Sequence, residues 1–256
     1  MTKHYALFAL ICLSALVGLA LLGPLPQDPL YHQFADQRPL LGIANFLDVI
    51  SNLPFVIIGL LGLGYLAPGC LRRGRPAGGL PPLLLHYRIF FVGVLLTGLG
   101  SGYYHLAPDN HTLVWDRLPM TIAFMAFFAA LVGESLSLRA GRLLLWPLLA
   151  LGLASVVFWH WTEELGRGDL RPYVLVQFLP ILLTPYLLLV FPSALAPKRH
   201  LWWLVACYLL AKLLELTDHF WFELSGIVSG HSLKHLAAAW ACYWFYVALR
   251  RRRPMV

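Results

Sequence analysis

Long apolar runs separated by short polar breaks are the dominant pattern of this chain. A helix needs about 20 mainly apolar residues to cross a bilayer, and on that criterion the sequence predicts roughly eight spans. Proline, glycine and charged residues fill the breaks between them, as is typical of turns at a membrane interface. The pattern therefore predicts an all-α, polytopic membrane helix bundle. The predicted spans cover residues 5–23, 41–66, 83–105, 114–137, 143–161, 172–193, 201–218 and 228–249.

Composition strengthens the membrane prediction. Hydrophobic residues make up 59% of the 256 residues and charged residues only 12%, whereas soluble proteins average roughly 45–50% and 25%. Mean hydropathy is +0.71. Because spans and short loops use nearly the whole length, no separate soluble domain is expected. The first span follows Lys3 as a signal peptide would, but its length and the lack of a small-residue cleavage site before Pro24 favour a retained helix.

Positive charge lies beside the spans rather than in one basic patch. The net charge is +7, and its carriers flank the hydrophobic segments, as the positive-inside rule expects. The charge is therefore a topology signal, and nucleic-acid binding is not predicted. With the arginine-rich loops in the cytoplasm, both termini lie inside and residues 24–40, 106–113, 162–171 and 219–227 lie outside. The basic residues used for this assignment are Arg72, Arg73, Arg75, Arg139, Arg142, Lys198, Arg199 and Arg250 to Arg253.

Four ionisable residues fall at the same depth of the predicted bundle. His105 ends the third span, Asp116 begins the fourth, and His231 and His235 begin the eighth, all toward the non-cytoplasmic side. Such residues are costly in a membrane unless they face a protein interior, a cavity or a metal ion. His231 and His235 are four residues apart, so both imidazoles project from one face of a helix. The topology thus predicts that these residues meet.

Three histidines and one carboxylate are suited to metal-assisted hydrolysis. Three imidazoles that leave one position open for water are the ligand set of a catalytic zinc site. Zinc lowers the pKa of its bound water toward about 7, and Asp116 could take the water's proton and later protonate a leaving amine. Ser101, one turn before His105, could donate a hydrogen bond to a developing oxyanion. The residues therefore predict a zinc hydrolase inside the membrane.

Structural explanations compete with the catalytic one at several of these positions. Ser101 lies in the small-residue run 98–102, which could simply allow close helix packing. Asp116 could be an interface residue paired with Arg117. Asp48, in the second span, needs a polar partner, for which Asn52 and Lys212 are the candidates.

A second set of charges lies in the last two spans. Lys212, Glu215 and Asp218 recur along one helix and could form an internal ion-pair ladder. Lys234, between the two histidines, is expected to face away from them and reach for the membrane surface.

The motifs match a known family. Ser101-Gly-Tyr-Tyr-His105, followed by Trp-Asp116-Arg-Leu-Pro-Met, resembles the alkaline ceramidases, members of a superfamily that also includes adiponectin-receptor-like proteins. The C-terminal pair His231 and His235 has the family's spacing. Ser51-Asn52 in an early span looks like a further ceramidase feature. The resemblance covers roughly residues 36–249.

The resemblance implies a fold and a reaction. The family has a seven-helix fold around a zinc ion, for which the matching ligands here are His105, His231 and His235. Asp116 and Ser101 would assist a zinc-bound water in hydrolysing the amide of a ceramide-like membrane lipid to a fatty acid and a sphingoid base. Three further polar residues are expected close behind the ligands: Ser51, Asn52 and Asp48.

Two departures from the family are visible. An additional apolar segment precedes the matching region, so residues 1–35 are expected to form a transmembrane helix and external loop before a seven-helix domain at 36–256. Animal alkaline ceramidases also carry a calcium site ahead of their first core helix. Only Asp36 and Asn45 remain here as possible weak ligands, and Arg38 intrudes, so tight calcium binding is not expected.

Two other functional classes fit part of the pattern. A receptor or scaffold of the same superfamily would keep the zinc without turnover and would enclose it fully. A haem protein would use the histidines as axial ligands, but it would leave Asp116 and Ser101 without a role.

Overall fold

The computed structural model describes residues 2–68, 82–195 and 197–252, and these residues form an all-α bundle without β-strands. This confirms the predicted fold class. Arg72, Arg73, Arg75 and Arg253, which entered the topology prediction, lie outside the described residues. The helices are α1 (Thr2–Leu21), α2 (Phe46–Ile50), α3 (Leu53–Tyr65), α4 (Leu84–Leu106), α5 (Asn110–Ser135), α6 (Leu138–Glu164), α7 (Arg171–Val190), α8 (Arg199–Leu216), α9 (Asp218–Ser225) and α10 (Gly230–Arg250).

All eight predicted spans are helical, and the chain is a multi-pass membrane protein. Among the described residues, six helical segments are long and apolar enough to cross a membrane, with α2 and α3 counted together. The pair α8 and α9 makes a seventh if it is one span bent by 76°. The eighth, α10, has 21 residues but does not reach the same hydropathy, because it carries two histidines, a lysine and several tryptophans and tyrosines.

The start of α5 illustrates how polar residues set the helix boundaries. The Asp109 carboxylate accepts a hydrogen bond from the Thr112 amide at 2.6 Å, and the Thr112 hydroxyl accepts one from the Asp109 amide at 3.1 Å. This reciprocal capping box satisfies amides that the first turn leaves free. The helix therefore begins at Asn110, four residues before the apolar run that predicted it.

Six helices close into a ring. Going round it, α3 packs on α4, α4 on α5, α5 on α7, α7 on α8, α8 on α10, and α10 on α3. Helix α6 lies outside the ring against α5 and α7, and α1 contacts α7. None of α1's apolar stretch is buried. The described residues therefore form a ring of six helices, with α6 packed on its outside and α1 as an additional N-terminal helix.

Small residues allow the ring to close at α4. A Cβ atom at Gly98 would lie 2.7 Å from a methyl carbon of Val56 in α3, and one at Gly100 would overlap the carbonyl oxygen of Trp115 in α5. Close approach at glycine is a common way for membrane helices to gain van der Waals contact. The run 98–102 therefore does serve helix packing, and the close contacts are made at Gly98 and Gly100.

Replacing Gly100 with alanine is expected to lower the free energy of unfolding by about 1–3 kcal/mol, because the new methyl group must push α4 and α5 apart. Thermal unfolding of the purified protein in detergent measures the effect. Gly64→Ala is the matched control, since no atom lies within 4 Å of a Cβ built there. Equal melting temperatures for the two variants would contradict the packing role of Gly100.

Candidate active site

Three histidines from α4 and α10, helices that are far apart in the sequence, form one buried cluster. His105 ends α4, and His231 and His235 begin α10; their exposed fractions are 1%, 4% and 5%. One ring nitrogen from each lies within 4.8 Å of the others, and the Nε2 atoms of His105 and His231 are 3.2 Å apart. Tetrahedral zinc with Zn–N bonds of about 2.0–2.1 Å separates its nitrogen ligands by roughly 3.3 Å. The cluster therefore fits a metal ion such as zinc.

Asp218 fixes the beginning of α10 beside the rest of the site. Its Oδ1 accepts a hydrogen bond from the backbone amide of His231 at 2.7 Å, and its Oδ2 accepts one from the Ala35 amide at 2.9 Å. Gly230 lies so close to the turn between α8 and α9 that a Cβ atom there would overlap the carbonyl oxygen of Leu214. Asp218 is thus no part of the predicted ion-pair ladder, because backbone amides occupy both of its oxygens.

Ser51 orients the ring of His235. The Ser51 hydroxyl donates to the carbonyl oxygen of Asp48 at 3.1 Å, so its oxygen is free to accept from Nδ1–H of His235 at 2.8 Å. The side-chain amide of Asn52 donates to the same carbonyl at 2.7 Å. A hydrogen bond at Nδ1 leaves the Nε2 lone pair for the cluster, as behind many metal-bound histidines. Ser51 and Asn52 therefore lie directly behind the ring of His235.

Asp48 connects α2 to α10 through hydroxyl groups. Its fully buried carboxylate accepts from the Ser232 hydroxyl at 2.6 Å and from the Ser229 hydroxyl at 3.3 Å. The two expected side-chain partners were wrong: Asn52 contacts the Asp48 carbonyl, and Lys212 pairs elsewhere. Sequence inspection missed the serines because they are separated from Asp48 by most of the chain.

The loop between α1 and α2 covers the histidines. The ring of Phe34 is buried, and its centre lies 4.3 Å from that of His231 and 4.7 Å from that of His105. Asn45, in the left-handed backbone region, donates from its side chain to the carbonyl oxygen of His105 at 2.8 Å. The loop thus shields one side of the cluster and leaves access from the interior of the ring.

The residues considered for calcium have protein partners. Both oxygens of Asp36 accept from Arg38, at 2.8 Å from Nε and 2.9 Å from an Nη atom. These hydrogen bonds hold the pKa of the Asp36 carboxyl below its ordinary value. Arg38 also donates to the carbonyl oxygens of Gly226 and Ile227. The guanidinium therefore ties this loop to the segment before α10.

A cavity of about 420 Å³ occupies the middle of the ring. Ser101, Asp116 and His235 all line it, so the structure brings together the residues expected to act on substrate. Lys234 lines it as well. Toward the other end the wall is apolar, as a lipid chain requires. That part of the wall includes Phe55, Phe90, Val94, Phe124, Phe127 and Ala241.

A lysine–glutamate–lysine group lines the same cavity. The two carboxylate oxygens of Glu215 pair with Lys212 at 2.5 Å and with Lys234 at 2.6 Å. The expectation that Lys234 faces away from the histidines was wrong, because the carboxylate on α8 holds its ammonium group inside the ring. The clue in the sequence was a surplus of lysine over glutamate within two apolar helices.

Arg117 does not pair with Asp116. Its Nη2 donates to Oε1 of Gln27 at 2.6 Å, and its guanidinium carbon lies 4.2 Å from the ring centre of Trp159 and 4.8 Å from that of Tyr173. No ion pair joins Arg117 and Asp116 in the described chain. This leaves Asp116 free to face the cavity. Arg117 and Gln27 were not expected from the sequence, because a loop residue 90 positions away supplies the contact.

A second group that could hold a metal ion lies at the surface. His111, His160 and Glu164 bring ligand atoms within 4.8 Å of one another, with His111 and Glu164 exposed. Exposed groups of this composition are common in the absence of a metal ion. The buried cluster is therefore the better candidate for a reaction, and the surface group matters as a competing site in any metal analysis.

Comparison with known families agrees with the residues of the site. A family model described as Ceramidase matches residues 41–253. A search of curated proteins found no match to the chain. The matched region begins just before α2 and extends past α10. It therefore includes all three histidines, Ser101 and Asp116, and leaves α1 outside.

Proposed function

This chain belongs to the ceramidase family, and on that premise we propose that it is a zinc-dependent hydrolase that cleaves the amide bond of ceramide-like lipids. The observation that carries the proposal is that His235 of the buried histidine cluster lines a partly apolar cavity together with Asp116 and Ser101. Ceramide hydrolysis in general follows from the family; the metal and the residue roles are the proposal.

The cluster fits zinc by its donor chemistry and its spacing. Three buried imidazoles without a carboxylate ligand would leave the ion its full positive charge, and the hydrogen bond from Ser51 leaves Nε2 of His235 available as a donor atom. His105, His231 and His235 would hold the zinc ion, which would supply a Lewis acid for activating water and polarising an amide carbonyl. Calcium has no part in the proposal, since Arg38 occupies both oxygens of Asp36.

The remaining roles belong to side chains of the cavity wall. Asp116 accepts the proton that the attacking water loses and returns it to the amide nitrogen as the C–N bond breaks. Ser101 donates its hydroxyl hydrogen toward the carbonyl oxygen as negative charge develops there. One water is consumed, and the products are a fatty acid and a sphingoid base. The apolar end of the cavity excludes bulk water and holds the acyl chain.

A metal site that serves only a receptor or scaffold would be closed. Here His235 reaches the wall of a cavity of about 420 Å³ together with Asp116. That arrangement supports turnover over a purely structural metal.

The proposed topology has both termini in the cytoplasm and the site toward the other side. The end of α4 and the start of α10 meet at the histidines. Arg139 lies at the start of α6 and Arg252 follows the end of α10, so both arginines lie at the other end of the bundle. Residues 1–35 then form a transmembrane helix and external loop, and residues 36–256 the ceramidase-like domain.

Asp116→Asn tests the function most directly. We expect a fall in kcat of about 10²–10⁴-fold, because the amide that replaces the carboxylate cannot take a proton. Hydrolysis of a fluorescent ceramide by the full chain in lipid nanodiscs is the measurement. Zinc content and melting temperature should stay at wild-type values, and Glu223→Gln, which removes an exposed carboxylate on α9, should be fully active. Wild-type turnover by Asp116→Asn would overturn the assigned role.

A further inference from the structure

Arg117 is a buried cation with unused hydrogen-bond donors. It is only 5% exposed, and within the described residues it forms no ion pair. Its Nη2 donates to Gln27, whereas Nη1 is buried and has no hydrogen-bond partner in the described chain. An unpaired buried charge costs several kcal/mol. A residue with this cost is explained most simply by a ligand that supplies the missing partner.

The guanidinium is held in one orientation. The rings of Trp159, Tyr173 and Tyr31 lie 4.2, 4.8 and 5.6 Å from its carbon atom. Gln27, which accepts from Nη2, is itself fixed by a hydrogen bond of 2.6 Å from its backbone amide to Glu163. Aromatic faces stabilise a cation, but they accept no strong hydrogen bond from Nη1. The guanidinium of Arg117 therefore keeps the unused N–H donors of Nη1 in a fixed position.

The unused donors border the reaction cavity. Arg117, Gln27 and Tyr31 line the same cavity as Asp116 and Ser101, so a lipid cleaved beside Asp116 has its polar end within reach. Arg117 follows Asp116 directly in α5. The apolar wall from Phe90 and its neighbours provides for the acyl chain elsewhere in the cavity.

The carboxylates around the cavity do not pair with Arg117. Lys212 and Lys234 both pair with Glu215, and Asp116 lines the cavity but forms no ion pair with Arg117 in the described chain. The remaining carboxylate of the lining belongs to Asp28, which is exposed and whose Oδ1 accepts from the Leu30 amide at 2.9 Å. The lining thus carries three cationic and three carboxylate side chains, and within the described residues none of the carboxylates forms an ion pair with Arg117. An anionic ligand oxygen would supply the partner that its guanidinium lacks.

We propose that Arg117, Gln27 and Tyr31 form a subsite for an anionic oxygen of the lipid head group, such as that of a phosphate or sulfonate. Guanidinium groups bind such oxygens through paired, charge-assisted hydrogen bonds. In naming the substrate class, N-acyl lipids with a negatively charged head, the inference rests on the proposed function. The subsite itself is a binding property and is testable without turnover.

Binding of hexadecyl phosphate to the full chain in neutral-lipid nanodiscs tests the subsite, with hexadecanol as the uncharged probe of equal chain length. In Arg117→Gln the affinity for hexadecyl phosphate should fall about 10–100-fold, the loss expected for one charge-assisted interaction. Arg117→Lys should restore part of it. The affinity for hexadecanol should change less than threefold, and Arg139→Gln, an exposed arginine of α6, should bind both as the wild type does.

Other outcomes decide against the proposal. Unchanged affinity of Arg117→Gln for hexadecyl phosphate would overturn it, as would equal losses for both probes. If inorganic phosphate bound as tightly as hexadecyl phosphate, the site would serve a free anion and not a lipid.

A second variant covers the case in which Arg117→Gln does not fold. Gln27→Met removes the oxygen that holds Nη2 at nearly constant size and should lower the affinity for hexadecyl phosphate about 3–10-fold; an unchanged affinity would contradict the proposal. Hydrolysis is scored separately. If the wild-type protein binds hexadecyl phosphate but does not hydrolyse ceramide, the proposed function is wrong and the anion subsite is still supported.

Discussion

Replacement of His231 by alanine is expected to remove both the bound zinc and the hydrolysis of ceramide. Two imidazoles cannot complete a three-histidine site. The Nε2 atom of His231, which the substitution removes, lies 3.2 Å from Nε2 of His105. Loss of metal activation removes several kcal/mol of transition-state stabilisation, so turnover should fall on the order of 10³-fold or more. Zinc per chain by elemental analysis and hydrolysis in nanodiscs are the two measurements.

The surface group of His111, His160 and Glu164 requires a control in that experiment. His160→Ala removes a ligand of the surface group and should keep about one tightly held zinc and full turnover. Folded wild-type protein without zinc would mean that the buried histidines serve packing. Retained zinc and turnover in His231→Ala would remove His231 from the site.

The second large effect is expected from the charges inside the ring. Glu215→Gln should lower the free energy of unfolding by about 3–5 kcal/mol, because it leaves the ammonium groups of Lys212 and Lys234 in a mostly apolar interior without their shared carboxylate. The shape of the side chain is nearly unchanged, so the loss reports charge. The melting temperature of the purified protein measures it.

Two comparisons make the charge prediction specific. Glu164→Gln removes an exposed carboxylate and should change stability by less than about 0.5 kcal/mol. Adding Lys212→Met to Glu215→Gln should recover part of the loss, since one fewer cation then lacks a partner. If Glu215→Gln has the same melting temperature as the wild type, water must reach both lysines, and Glu215, Lys212 and Lys234 do not form an internal ion-paired group.

The helices and the metal-site candidates could be predicted from the sequence for a simple reason. A chain in lipid must satisfy its backbone hydrogen bonds within helices, so the eight apolar runs translate into helices. The sequence did not predict the break between α2 and α3, or α9, which lies in a segment predicted as an external loop. Spacing then places His231 and His235 on one face, and topology brings His105 to the same depth. These inferences need only the period of a helix and the thickness of a bilayer.

The direction in which other side chains point could not be predicted in this way. The rotation of α10 about its axis follows from packing on α8 and α3, and that rotation turns Lys234 toward Glu215. Arg117 and Asp48 find partners in a loop and in a distant helix cap, at Gln27 and at Ser229 and Ser232. Loop residues such as Phe34 have no periodic pattern that would place them over the histidines.

The split of the histidine cluster between α4 and α10 has a consequence for biogenesis. When α1 to α9 have entered the membrane, the growing protein contains His105 but not yet His231 and His235, which lie in α10. The cluster is assembled only after α10 has been inserted and has closed the ring between α8 and α3. If the cluster holds zinc as proposed, a ribosome-bound intermediate ending before α10 lacks two of the three ligands, so loading of the ion would follow membrane insertion of the whole bundle.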